Sequence, residues 1–212
     1  MAKFIFDLDG TLIDSTSVFI PTIYATFSHF PNIKKPSEDM IRDAFGLTDE
    51  DFWKKLMPGS TMEERNSAYE LRDIYIGKHM QNVNLLLPEA YRVLSGLYEQ
   101  GHTLTTASNC GTAYLNSVLD SQSIRRFFTM PLCLEMVNGQ EKADILRRHL
   151  EHFSKENMFM VGDRSSDIEA AHAVGIPAIG CRFGFGDKSE LKDADYNIYS
   201  LTELFSFCGE KK

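Results

Sequence analysis

The 212-residue sequence is poor in cysteine: Cys110, Cys133, Cys181 and Cys208 are the only four, and none stands in a CxxC pair. That argues against a disulfide framework and leaves reduced thiols in a cytoplasmic protein as the expectation. Positive charge is also scarce, with 22 Lys and Arg against 30 Asp and Glu and a net charge of −8. An acidic surface repels phosphate backbones, so nucleic acid is not expected as a partner. No apolar run approaches the ~18 residues of a membrane span, and the opening MAKFIF is too short an apolar stretch for a signal peptide. No membrane partner is therefore expected. The six histidines form no ligand pair with a matching acidic pattern, which removes support for a zinc site or a Ser-His-Asp triad. What remains is an ordinary globular balance, 43% hydrophobic and 25% charged, sufficient for one sizeable core or a core with a smaller second domain.

Residues 3–7 (KFIFD) form a short apolar run like a buried strand, ending abruptly in Asp-Leu-Asp-Gly-Thr. About four helices follow. Phe19, Ile20, Ile23, Phe27 and Phe30 recur at helical spacing. Ser37 caps a helix expected to stop at Gly46, Thr48 caps another, and Thr61 to Glu64 match a capping box. Beyond Leu85 to Leu87 the pattern changes to strand–helix alternation. A helix with Pro88 in its first turn ends before Gly101. Strands are expected at 103–107, 127–133, 158–161 and 178–181, and helices at 112–119, 141–153 and 166–174. Alternation of this kind implies a parallel sheet covered on both faces, an α/β fold of the Rossmann-like type. The helical segment, residues 15–82, interrupts the alternation after the first strand and reads as an inserted α-helical cap domain. Residues 1–14 and 83–212 then form the α/β core.

Four polar clusters follow predicted strands or open helices, where an open α/β sheet places its ligands. In the first, Asp7 and Asp9 stand one residue apart after a buried strand. Their repulsion is relieved by solvent, a cation or a shared proton. One carboxylate is a competent nucleophile on phosphorus, and a second can move protons on the leaving oxygen and on water. The second cluster, Thr105 to Asn109, brings the Ser108 hydroxyl and backbone N–H groups to another strand end, an anion-binding arrangement. The third is Lys142, whose ammonium can hold a phosphate and offset carboxylates. The fourth is Val161 to Asp167, with Asp163 at a strand end and Asp167 at a helix start. Mg²⁺ suits a few carboxylate oxygens combined with water and substrate phosphate. Taken one at a time, each cluster also reads as a turn, a cap or a solvated side chain. Their order and strand-end placement favour one shared site.

These residues resemble the haloacid dehalogenase superfamily of phosphohydrolases, whose four motifs stand here in order as DLDGT (7–11), TTASN (105–109), Lys142 and GDRSSD (162–167). DGTLIDS (9–15) and the run from Gly162 to Gly186 are most similar to phosphoglycolate-phosphatase-like members with a small helical cap. The resemblance implies a core of strand order 5-4-1-2-3, with Asp7 and Asp163 on adjacent strands. It implies Asp7 as nucleophile and metal ligand, and Asp9 as general acid/base that binds Mg²⁺ through its backbone carbonyl. Ser108, with N–H groups of Leu8 and Asn109, would bind the phosphoryl group. Lys142 would neutralise it, Asp163 would ligate Mg²⁺, and Asp167 would do so or hold Lys142. Arg42 to Gly46 are the expected contacts to the leaving group. The family's late Gly-Tyr-Gly reads Gly184-Phe185-Gly186 here.

The resulting expectation is a Mg²⁺-dependent phosphatase acting on a small phosphate ester, phosphoglycolate-like or a sugar phosphate, through an aspartyl-phosphate. The enzyme alternatives are a β-phosphoglucomutase-type mutase or a pyrophosphatase. A dehalogenase would leave Asp9 without a task. The alternative of another class is a non-catalytic phosphate-binding or regulatory protein. Monomer and homodimer stay equally open.

Overall fold

The computed structural model describes residues 1–187 and 189–208. Its centre is strand β1, Lys3–Phe6, in which apolar residues alternate between two cores. Phe4 and Phe6 pack into one buried cluster and Ile5 into the other, all three fully inaccessible. A strand buried on both faces needs an uninterrupted apolar run, because successive side chains point to opposite faces. Burial of each such side chain contributes about 1.5–3 kcal/mol.

The chain then enters four helices: α1 (Thr16–Phe27), α2 (Glu38–Arg42), α3 (Asp49–Leu56) and α4 (Met62–His79). The sequence-expected caps form. Ser37 accepts from the N–H of Met40, Thr48 from that of Asp51, and Thr61 and Glu64 close a reciprocal capping box. α2 is shorter than expected; it ends at Arg42 and the chain turns through Gly46, which takes a φ of 83°. Pro21 lies inside α1 without ending it.

Alternation follows: α5 (Ala90–Glu99), β2 (Thr103–Ser108), α6 (Thr112–Ser121), β3 (Leu132–Cys133), α7 (Lys142–Leu150), β4 (Met158–Gly162), α8 (Ser165–Val174), β5 (Ala178–Cys181) and β6 (Tyr196–Ile198). All pairings are parallel, in the order β3-β2-β1-β4-β5-β6. The expected five-strand order is contained in it, extended at one edge by β6. That strand is three residues long with two exposed side chains, so its sequence carries no apolar pattern.

Three local expectations change. The strand expected over 127–133 shrinks to Leu132–Cys133, preceded by a 3₁₀ turn at Arg125–Phe127. Pro131 has no N–H to give to a ladder, which shortens the pairing. Pro88 precedes α5 rather than sitting in its first turn, because Glu89 adopts a left-handed φ of 67° before the helix begins at Ala90. The helix expected over 141–153 spans Lys142–Leu150, with Glu141 as its N-cap. Among the described residues no helix is long and apolar enough to cross a membrane.

Candidate active site

β2, β1 and β4 lie side by side with Phe6 level with Thr106 and Val161, so Ser108, Asp7 and Asp163 emerge at one edge. α7 and α8 bring Lys142 and Asp167 to the same point from their first turns. Lys142 Nζ lies 3.0 Å from Asp7 Oδ1 and donates to Asp167 Oδ1 in a still shorter contact. The ammonium is thus a bridge between two carboxylates, and all three side chains are at least 96% buried. Asp7, Asp163 and Asp167 each offer an oxygen within 4.8 Å of the others.

Burying charge at such density displaces the ionisation equilibria. Burial, reinforced by Asp167 and Asp163 and opposed by Lys142, pushes Asp7 up to about 8. Burial and the charge of Asp167 push Asp163 up to about 6, against N–H donors from the chain at 185 and 186. Burial draws the Lys142 ammonium down, but Asp167 and Asp7 outweigh it and hold the group above its ordinary value. One cation therefore compensates three clustered carboxylates. The surplus of hard, buried oxygen donors fits a divalent cation such as Mg²⁺.

Asp9 stands apart from that cluster. Its Oδ1 accepts from Tyr114 Oη at 2.8 Å and from Ser15 Oγ in a shorter bond. Burial raises its carboxyl, and the two hydroxyls oppose the rise. Asp163 is fixed through both oxygens. Oδ2 accepts from the N–H of Phe185 at 2.7 Å and of Gly186 at 3.1 Å, and Oδ1 accepts from Thr11 Oγ1 at 3.3 Å. Asp167 Oδ2 accepts from the N–H of Arg164 at 2.9 Å.

The Gly-Phe-Gly departure is thereby resolved: backbone N–H groups, not the aromatic side chain, hold Asp163. A Cβ on Gly184 would collide with the Asp163 carboxylate and with the Gly10 carbonyl. Gly184→Ala is expected to destabilise the protein by about 1–3 kcal/mol, the usual cost of overpacking, read as a shifted urea midpoint. An unchanged midpoint would show that the loop yields freely.

The helical segment roofs this edge. A cavity is lined by Asp7, Asp9, Ser108 and Asn109 below and by Phe45, Asp49 and Arg72, among others, above. Polar contacts tie roof to floor. Asn109 Nδ2 donates to the Gly46 carbonyl at 2.8 Å, and Arg164 Nη1 donates to the Phe45 carbonyl at 2.7 Å. Of the predicted leaving-group contacts, Ala44 to Gly46 line the cavity. Arg42 does not; it pairs with Glu38 at 3.7 Å, half exposed, and lines an adjoining cleft. α2 turns Ile41 inward and leaves Arg42 on its exposed side. Tyr114, Asp49 and Arg72 were not anticipated. Tyr114 and Arg72 come from segments distant in the chain, whereas Asp49 stands just beyond the Gly46 turn at the start of α3.

A family model described as haloacid dehalogenase-like hydrolase matches residues 4–181. A phosphoglycolate phosphatase of Haemophilus influenzae (strain 86-028NP) is 27% identical over 196 residues, covering 85% of each chain. The crystal structure of a predicted phosphoglycolate phosphatase from Haemophilus somnus shares the fold at a TM-score of 0.86, with 19% identity over 99% of this chain and 98% of that one. A β-phosphoglucomutase from Clostridium difficile shares it at 0.79, with 19% identity over 98% and 96%. With the motif order, the strand-end carboxylates and this match along most of its length, the chain belongs to the haloacid dehalogenase-like hydrolase family and is an enzyme of its phosphatase type.

Proposed function

We propose that the enzyme hydrolyses the phosphate ester of a small metabolite by transferring the phosphoryl group to Asp7. The observation that carries this reading is the buried Lys142 ammonium bridging Asp7 and Asp167, with Asp163 beside them. It leaves a carboxylate oxygen fixed at the floor of the cavity.

An Asp7 oxygen attacks phosphorus in line with the ester oxygen, forming the aspartyl-phosphate as the P–O ester bond breaks. Asp9 gives the leaving oxygen its proton. It then takes a proton from water as that water attacks phosphorus and frees phosphate and the Asp7 carboxylate. Both hydroxyl donors to Asp9 bond Oδ1, which leaves Oδ2 to carry the proton. Burial, by raising Asp9, favours the protonated form that the first step needs. Ser108 and the N–H groups of Leu8 and Asn109 receive the phosphoryl oxygens, and Lys142 holds Asp7 in line. Asp7, Asp163, Asp167 and the Asp9 carbonyl would hold Mg²⁺. The bound ion supplies positive charge opposite the phosphoryl oxygens and the clustered carboxylates. Residues 15–82 act as a cap that excludes water and admits only small esters. The four free thiols suit a reducing cytoplasm.

The test is p-nitrophenyl phosphate hydrolysis with Mg²⁺ and with EDTA: activity is expected with the metal and its loss with the chelator. Full activity in EDTA would overturn the metal assignment. Proton competition gives a second expectation. Because the metal-free site holds Asp7 near 8 and Asp163 near 6, Mg²⁺ must displace protons, and its affinity should fall as pH drops from 8 to 6. The slope is up to ~10-fold per pH unit for each displaced proton, measured by titration calorimetry. A flat profile would place the metal elsewhere.

A further inference from the structure

The roof of the cavity carries a compact group of charged side chains. Among the described residues lining the cavity, Arg72 is the single lysine or arginine. Its side chain is only 3% exposed and already committed. Nη1 donates to Asp49 Oδ1, while Nε and Nη2 donate to Asp73 Oδ1 at 3.0 and 2.8 Å. The guanidinium carbon also sits 4.4 Å from the centroid of the Tyr69 ring. Two carboxyl groups face one guanidinium and engage three of its five N–H donors, so the group offers little uncompensated positive charge to an incoming anion. Burial pushes the Asp49 carboxyl upward and Arg72 opposes that push.

The second observation lies on the opposite wall. Asn109 Oδ1 is buried without a hydrogen-bond partner, and Asn109 is one of the residues that line the cavity. The orientation of the amide is set by Nδ2, which donates to the Gly46 carbonyl; turning it over would set oxygen against oxygen. A buried acceptor without a donor is costly, and a ligand that brings a donor recovers that cost. The cavity lining therefore brings together two acceptor-bearing residues, Asn109 and Asp49, with Phe19, Phe45 and Phe52.

We propose that the leaving group is uncharged and hydroxyl-bearing, a polyol or sugar rather than a hydroxy acid, and that the Asp49–Arg72 pair with Asn109 enforces the choice. This rests on the phosphatase reading above. A hydroxyl donates to either acceptor. A carboxylate would meet Asp49 at like charge and leave Asn109 unsatisfied, and specificity built on such mismatches is strong.

The experiment compares kcat/KM for sn-glycerol 3-phosphate and 2-phosphoglycolate, which are similar in size, with p-nitrophenyl phosphate as reference. The wild-type enzyme is expected to favour the glycerol ester by about tenfold or more. Asp49→Asn releases one edge of Arg72 and should move the ratio toward 2-phosphoglycolate by about tenfold. A role of Asp49 in folding alone would change both substrates equally and leave the ratio fixed, which would overturn the assignment to Asp49. A wild-type preference for 2-phosphoglycolate, with p-nitrophenyl phosphate still hydrolysed, would overturn the selectivity and leave the phosphatase reading intact. No hydrolysis of any of the three would overturn both. The wild-type ratio carries the test even if the variant fails to fold.

Discussion

Asp7→Asn is expected to lower kcat by at least ~10³-fold while leaving the protein folded, because it removes the attacking oxygen and nothing else can replace it. The stability side of this expectation follows from the direction of the pKa shift. The folded protein holds Asp7 at about 8, above the ordinary value of 3.8, chiefly through burial. A raised carboxyl contributes stability that is complete below the unfolded-state value and is lost as pH rises through 8. The amide has no such loss. In the absence of metal the variant should therefore melt at or above the wild-type temperature at pH 8, and its melting temperature should vary less with pH between 4 and 8. Activity above a thousandth of wild type would remove Asp7 from the role of nucleophile. A collapse of stability would make the loss structural instead.

The second large effect is expected at Lys142. Its ammonium touches Asp7 and Asp167 and is itself buried. Lys142→Met keeps the bulk and deletes the charge. Removing one partner from a buried ion pair costs about 3–5 kcal/mol, since the remaining carboxylates stay out of water without compensation. Part of that cost is avoided by protonation, as Asp7 rises further, so the deficit should be largest in alkaline solution and smaller near pH 5. Urea denaturation across this pH range measures it. Added Mg²⁺ should return some of the lost stability but not the activity, because Lys142 also fixes the direction of Asp7. A variant as stable as wild type at pH 8 would mean that water reaches the cluster and the pair contributes little.

These two positions were unequally visible in the sequence. Asp7 and Asp9 follow an apolar strand directly, and Asp163 follows another, so local pattern alone puts three carboxylates at strand ends. Lys142 is one of 22 basic residues; its place near a helix start is a weak local mark, and the family resemblance is what gave it a role. The short β3 and β6 were missed or misplaced because edge strands of two or three residues bury too little to leave a period in the sequence.

The roof of the cavity shows where sequence reasoning runs out. Arg42 and Arg72 both stand on helices of the same segment, and the chain around Arg42 to Gly46 pointed to the former. Burial separates them: Arg42 is half exposed beside Glu38, whereas Arg72 is enclosed by Asp49 and Asp73. Tyr114 reaches Asp9 across 105 residues of chain, and Asn109 reaches Gly46 across 63. The sequence alone determined the sheet, the inserted helices and the strand-end carboxylates, since each follows from apolar periodicity and the residue that ends it. Which hydroxyls hold Asp9, which N–H groups hold Asp163 and which arginine roofs the cavity were decided only by tertiary structure, because each depends on packing between segments far apart in the chain.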